Sequence, residues 1–108
     1  MRVQIAARHC DIPDSVRTRA QEQVLRLAKY DPRVSTADVV FEEEKVVRRV
    51  EVVLGVHGGE PIVARGEDPE FLTALDKVIQ RLARSLKRQR DRKTNHKAPP
   101  LSDGVVGD

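Results

Sequence analysis

LTALDKVIQRLARSLKRQR, residues 72–90, decides how the rest of this 108-residue chain is arranged. At about 100° of rotation per residue, Leu72, Leu75, Ile79, Leu82 and Leu86 gather on one side of a helix. Lys77, Arg81, Arg84 and Arg88 fall within roughly 60° of one another on the other side. The stretch therefore predicts a helix with a buried leucine stripe and a basic ridge facing away from it. Between residues 77 and 97 there are nine Lys and Arg, Lys87 and Arg90 among them, and one acid, Asp91. That segment carries +8, while the remaining 11 bases and 16 acids sum to −5. Like charges at i,i+3 and i,i+4 repel by a few tenths of a kcal/mol each. A ridge of one sign is accounted for when a polyanionic partner supplies the counter-charge, and nucleic acid is the commonest polyanion.

Working outward, Met1 to Arg8 alternates in the period-2 manner of a half-buried strand. Pro13 and Asp14 suit a helix start, and a helix from Pro13 to Tyr30 keeps Val16, Ala20, Val24 and Leu27 on one face. Asp31-Pro32 ends it, because proline disfavours helix in the residue before it. Strands follow at Ala37 to Glu44, Val46 to His57 and Pro61 to Gly66, the last two joined by a Gly58-Gly59 turn. The final helix spans Pro69 to about Arg92.

The expected fold class is thus α+β, ordered β-α-β-β-β-α: a two-layer sandwich with a four-stranded mixed sheet and both helices on one face. Residues 1–93 form the domain, and residues 94–108 read as a disordered tail. With both helices together, a groove between them is flanked by Arg26 and Lys29 from the first helix and by the ridge of the second.

Catalysis and metal binding find little support. His9 and Cys10 are neighbours that point apart in an extended strand, so they do not pair as base and nucleophile. No paired CxxC or HxxxH provides a zinc site. Gly58-Gly59 joins strands and does not feed a helix, so it is no phosphate loop. Glu42, Glu43 and Glu44 are expected to offset Arg48 and Arg49 or to stay solvated, without a functional role. No enzyme activity, cofactor, metal or small-molecule substrate is expected. From the lone Cys10, the lack of an 18-residue apolar run and a non-signal-like start, a cytoplasmic setting away from membranes is the default expectation. With Tyr30, Phe41 and Phe71 as the only rings, base stacking across a sheet is disfavoured. Helix-borne recognition of phosphates and RNA shape remains.

Phe41-Glu-Glu-Glu-Lys-Val, Val50-Glu-Val-Val-Leu-Gly-Val-His-Gly-Gly, Ile62-Val-Ala and the 72–90 stretch together resemble the bacterial ribosome hibernation promoting factor and ribosome-associated inhibitor family. Ile12, Val16-Arg17 and Leu27 to Tyr30 extend the likeness, which covers residues 1–93. The resemblance implies a fold similar to double-stranded RNA-binding domains and a non-enzymatic role. It implies binding to the small ribosomal subunit and its rRNA near the decoding centre, which blocks messenger RNA and A-site and P-site transfer RNA and silences translation in stress or stationary phase. Ribosome modulation factor is a candidate helper. The family's basic positions fall on Arg26, Lys29, Arg81, Arg84, Arg88 and Arg90, and periodicity and charge add Lys77 and Lys87 as rRNA-binding candidates. Glu70-Phe71-Leu72 replaces the family's Asp-Met-Tyr step, Gln23 stands where a base is frequent, and Pro61 is an extra residue. The tail has no room for the dimerisation domain of long members, so the chain is expected to be either a short form or a long form cut in its linker. A general double-stranded RNA-binding module unconnected with ribosomes is the alternative, and a protein adaptor with an acidic partner is a third reading.

Overall fold

The computed structural model describes residues 1–97, with side chains through Asp91. Its elements are β1 (Arg2–Arg8), α1 (Asp14–Tyr30), β2 (Val34–Glu44), β3 (Val47–Val56), β4 (Ile62–Asp68) and α2 (Phe71–Lys97). The strands form one mixed sheet in the order β1-β2-β3-β4. The α1 crossover lets β1 run parallel to β2, with Ile5 opposite Val39. Short links make the β2–β3 and β3–β4 pairs antiparallel. The expected element order, mixed sheet and two-helix layer are all present.

Strand alternation directs Ala37, Val39 and Phe41 of β2, Val50, Val52 and Leu54 of β3, and Ile62 and Ala64 of β4 toward the helices. From α1 they meet Val16, Ala20, Val24 and Leu27, and from α2 Phe71, Ala74, Leu75, Val78, Leu82 and Leu86. Phe71 stands edge-on to Phe41 with ring centroids 5.3 Å apart, a favoured aromatic geometry. The guanidinium of Arg48 lies 5.3 Å from the Phe71 ring centroid.

The face of α2 that meets the sheet is rotated from the one its leucines suggest. Leu72 is 39% exposed, whereas Phe71, Ala74 and Val78 are buried. Gly66 explains the rotation. It points inward from β4, and a Cβ there would lie 2.9 Å from both the Ala74 carbonyl oxygen and Val78 Cγ2. The helix therefore approaches β4 through Ala74 and Val78, which turns Leu72 outward and leaves Ile79 half-buried toward α1.

Element ends differ from expectation for local reasons. β2 begins at Val34, ahead of Ala37, because Asp31 organises the preceding turn. Asp31 accepts hydrogen bonds from the Arg33 backbone N–H (3.0 Å), Nε (3.0 Å) and Nη2 (2.6 Å). Its carbonyl accepts from the Val34 N–H at 3.1 Å. Pro13 caps α1 from outside, in an extended conformation, and does not form its first residue. Asp68 Oδ2 accepts from the Glu70 N–H at 3.0 Å, so α2 starts at Phe71 and not at Pro69. At its other end α2 continues past Arg92 to Lys97, with no Pro or Gly to stop it. Residues 94–97 of the expected tail are thus helical, and residues 98–108 lie outside the described residues.

Two predictions follow from this packing. Gly66→Ala should destabilise the domain by about 1–3 kcal/mol, as overpacking against backbone does, read as a lower urea midpoint. Asp31 is only 2% exposed. The Arg33 fork holds its carboxyl below the usual carboxylate range, against the opposing effect of burial. A lowered native pKa gives stability that is complete above the unfolded value, about 3.9, and is lost as pH falls through the native value. Asp31→Asn should therefore cost about 1.5–3 kcal/mol at neutral pH and flatten the acid limb of the stability curve below about pH 4.

Candidate nucleic-acid interface

The eight basic residues expected to meet RNA separate into three settings. Arg26, Arg84 and Lys87 line a groove between α1 and α2, together with Gln23, Leu27, Tyr30, Ile79 and Ala83. Lys29 and Arg88 are exposed on the same helix layer, outside that groove. Among the described residues, no ion pair or hydrogen bond engages Arg26, Lys29, Arg84, Lys87 or Arg88. No carboxylate among the described residues offsets these five cations.

Lys77 and Arg81 lie on the other flank of α2, against the outer edge of β4. Lys77 Nζ donates to the Glu67 carbonyl at 3.1 Å and pairs with Asp68 Oδ1 at 3.1 Å. Arg81 Nη1 donates to the Arg65 carbonyl. Both carbonyls belong to alternate residues on the strand's unpaired side, so these side chains cover backbone groups that would otherwise template another strand. The Asp68 carboxyl is held below its usual range by the Glu70 N–H and by Lys77. The one-signed ridge read from the helical wheel is therefore partly neutralised at Lys77, and Arg81 has a structural bond as well as its charge.

Arg90 joins the helices. Its Nη2 donates to the Tyr30 hydroxyl at 2.5 Å, and its guanidinium lies 4.6 Å from the Tyr30 ring centroid. Stacking on the ring and bonding to its hydroxyl fix the end of α1 against α2. They also hold Tyr30, 48% exposed, as a wall of the groove.

The open face of the sheet is built differently. Strand register sets Arg8 opposite Glu42, Glu42 opposite Arg49 and Arg49 opposite Glu67, one row of alternating charge across all four strands. Arg49 reaches Glu67 at 2.7 Å, Glu44 at 3.3 Å and Glu42 at 3.6 Å, and Arg65 reaches Glu51 at 2.7 Å. At the strand ends on the helix side, next to Phe71, Arg48 pairs with Glu43 at 3.7 Å. The acidic run is thus spent on Arg48 and Arg49, as expected, and the sheet face neutralises itself. This checkerboard was missed in the sequence, although its signal is present there as opposite charges at outward positions of paired strands.

Among the described residues, His9 and Cys10 are not brought together as a base and nucleophile pair. His9 lies beyond the end of β1 at φ 58°, in a bend and not in the strand. Cys10 Sγ sits 3.7 Å from the Phe41 carbonyl oxygen, and burial, with Glu43 and Asp11 nearby, pushes its thiol up. Such a thiol is a poor nucleophile. Among the described residues no group of His, Cys, Asp and Glu could hold a metal ion, and no helix is long and apolar enough to cross a membrane.

The two kinds of cation should behave differently on truncation. Arg81→Ala should cost about 0.5–1.5 kcal/mol, the usual worth of a hydrogen bond, and raise hydrogen exchange along β4. Arg84→Ala and Arg88→Ala should stay within about 0.5 kcal/mol of the parent in the same denaturation series.

The chain matches the model of the family described as Sigma 54 modulation protein / S30EA ribosomal protein over residues 3–94. It is 31% identical to the ribosome hibernation promoting factor of Salmonella typhimurium over 96 residues, covering 89% of this chain and 100% of that protein. To the factor of the same name from Azotobacter vinelandii it is 28% identical over 92 residues, covering 85% of each. Among solved structures, a ribosomal subunit interface protein from Coxiella burnetii superposes with a TM-score of 0.78 at 19% identity, over 84% of this chain and 99% of that one. The Protein Y N-terminal domain of Thermus thermophilus gives 0.72 at 26% identity, over 82% and 98%. This chain belongs to the Sigma 54 modulation protein / S30EA ribosomal protein family, which includes the ribosome hibernation promoting factors.

Proposed function

We propose that this protein is a cytoplasmic ribosome hibernation factor that binds the small ribosomal subunit near the decoding centre and silences translation under stress or in stationary phase by occupying the place of messenger RNA and A-site and P-site transfer RNA. One observation carries the reading: five cations of the helix layer, Arg26, Lys29, Arg84, Lys87 and Arg88, have no carboxylate partner among the described residues, while the sheet face neutralises itself. A surface with a cluster of unpaired positive charge on one layer is oriented toward a polyanion before contact. The names of the relatives supply the polyanion, the ribosome. Phosphate contacts of this kind position a protein on RNA without reading sequence, and that suffices for a factor that acts by occupancy. Ribosome modulation factor remains a candidate helper.

With about five to eight phosphates engaged, log affinity for small subunits should fall with log salt at a slope of about −4 to −7. Reversing Arg84, Lys87 and Arg88 to Glu should abolish co-sedimentation with ribosomes through sucrose while leaving the melting transition in place. Arg81 is left out of that set because it also covers β4. A slope near zero, or a protein that stays in the supernatant with free RNA, would contradict the proposal.

A further inference from the structure

The groove between α1 and α2 has a composition that phosphate binding alone does not require. Its floor is apolar, formed by Leu27, Ile79 and Ala83, and Tyr30 stands as a wall. Gln23 is half-buried at its side, and Arg26, Arg84 and Lys87 surround it. The cavity measures about 380 Å³, within the roughly 300–1,000 Å³ of clefts that hold small ligands. A binder of phosphates needs cations and a wet surface, and gains nothing from a dry floor beneath them.

Given RNA binding by this face, we infer that the groove is a nucleotide subsite that takes one unpaired base of single-stranded RNA between the two helices. Each part of the groove answers a part of that ligand. The flat, apolar faces of the base meet Leu27, Ile79, Ala83 and the Tyr30 ring, as bases stack on apolar and aromatic surfaces elsewhere. The Gln23 amide offers both a donor and an acceptor to the polar base edge. Arg26, Arg84 and Lys87 meet the phosphates on either side. An acidic peptide would satisfy the rim but leave the floor bare, and a paired duplex keeps its bases stacked inside. Phe41 and Phe71 are buried, so Tyr30 is the one ring available and the subsite holds a single base, not a stacked run.

The test uses the full chain and its Ala83→Leu variant, which fills the floor from a partly buried position facing the groove. Ala83→Met, with a more adaptable side chain, serves if the leucine variant does not fold. Two titrations are run, one against purified small subunits and one against a short single-stranded RNA with a fluorescent adenine analogue at its centre. The expected result is about ten-fold weaker binding of the variant in both, with an unchanged salt slope and loss of the analogue's fluorescence change. Equal affinity of variant and parent for subunits overturns the subsite and leaves ribosome binding intact. A variant that loses subunits but gives the parent's fluorescence response places a ribosomal protein side chain in the groove, which also overturns it. A parent that fails to bind subunits overturns the ribosomal function itself, and the subsite with it.

Discussion

The close approach of α2 to β4 at Gly66 fixes the orientation on which every other surface of this protein depends. With no side chain between them, the Ala74 carbonyl and Val78 settle onto the strand, and the helix is thereby set about its own axis. That rotation buries Phe71, Leu75, Leu82 and Leu86, brings Lys77 and Arg81 to the edge of β4, and directs Arg84 and Lys87 toward α1. A few tens of degrees of error would move the cations to other settings, because neighbouring positions on a helix wheel are spaced by so little. The charge pattern is therefore a consequence of packing as much as of composition.

Charge separation between the two layers follows. Outward positions on the sheet alternate in sign across strands, so register alone closes the Arg49–Glu67 and Arg65–Glu51 pairs. Exposed pairs of this kind contribute little stability. Their effect lies in cancelling the field on that face. On the helix layer no such pairing reaches Arg26, Lys29, Arg84, Lys87 or Arg88 among the described residues. Among the described residues the sheet face is largely self-paired and the helix layer carries a cluster of unpaired cations, an arrangement that would orient an encounter with a highly charged partner.

Much of this was legible in the sequence because two periods were clean. Period-2 alternation in the strands and the 3-4 spacing in α2 gave the order of elements and the two-layer sandwich. The leucine pattern still misled at Leu72, because apolar residues occupy two adjacent strips of α2 and periodicity cannot say which strip faces a glycine. The start of β2 was hidden by Pro32, whose breaking effect is local, while the Asp31–Arg33 fork that restores strand by Val34 is a side-chain arrangement. The basic ridge was visible as charge. Its division into edge-covering and free members was not, since it depends on carbonyls of β4 that are distant in sequence.

The apolar floor of the groove was equally hidden, since Leu27 and Ile79 read as core; Leu27 is indeed buried, and only the way the helices meet leaves Ile79 and Ala83 partly exposed beside it. A density map of the ribosome with this protein bound would be the most direct trial of the claim that the helix layer is the RNA-binding face. It should show Arg26, Arg84, Lys87 and Arg88 against rRNA phosphates of the small subunit, with the checkerboard face of the sheet turned away. A map with the sheet against RNA and those four side chains in solvent would contradict it.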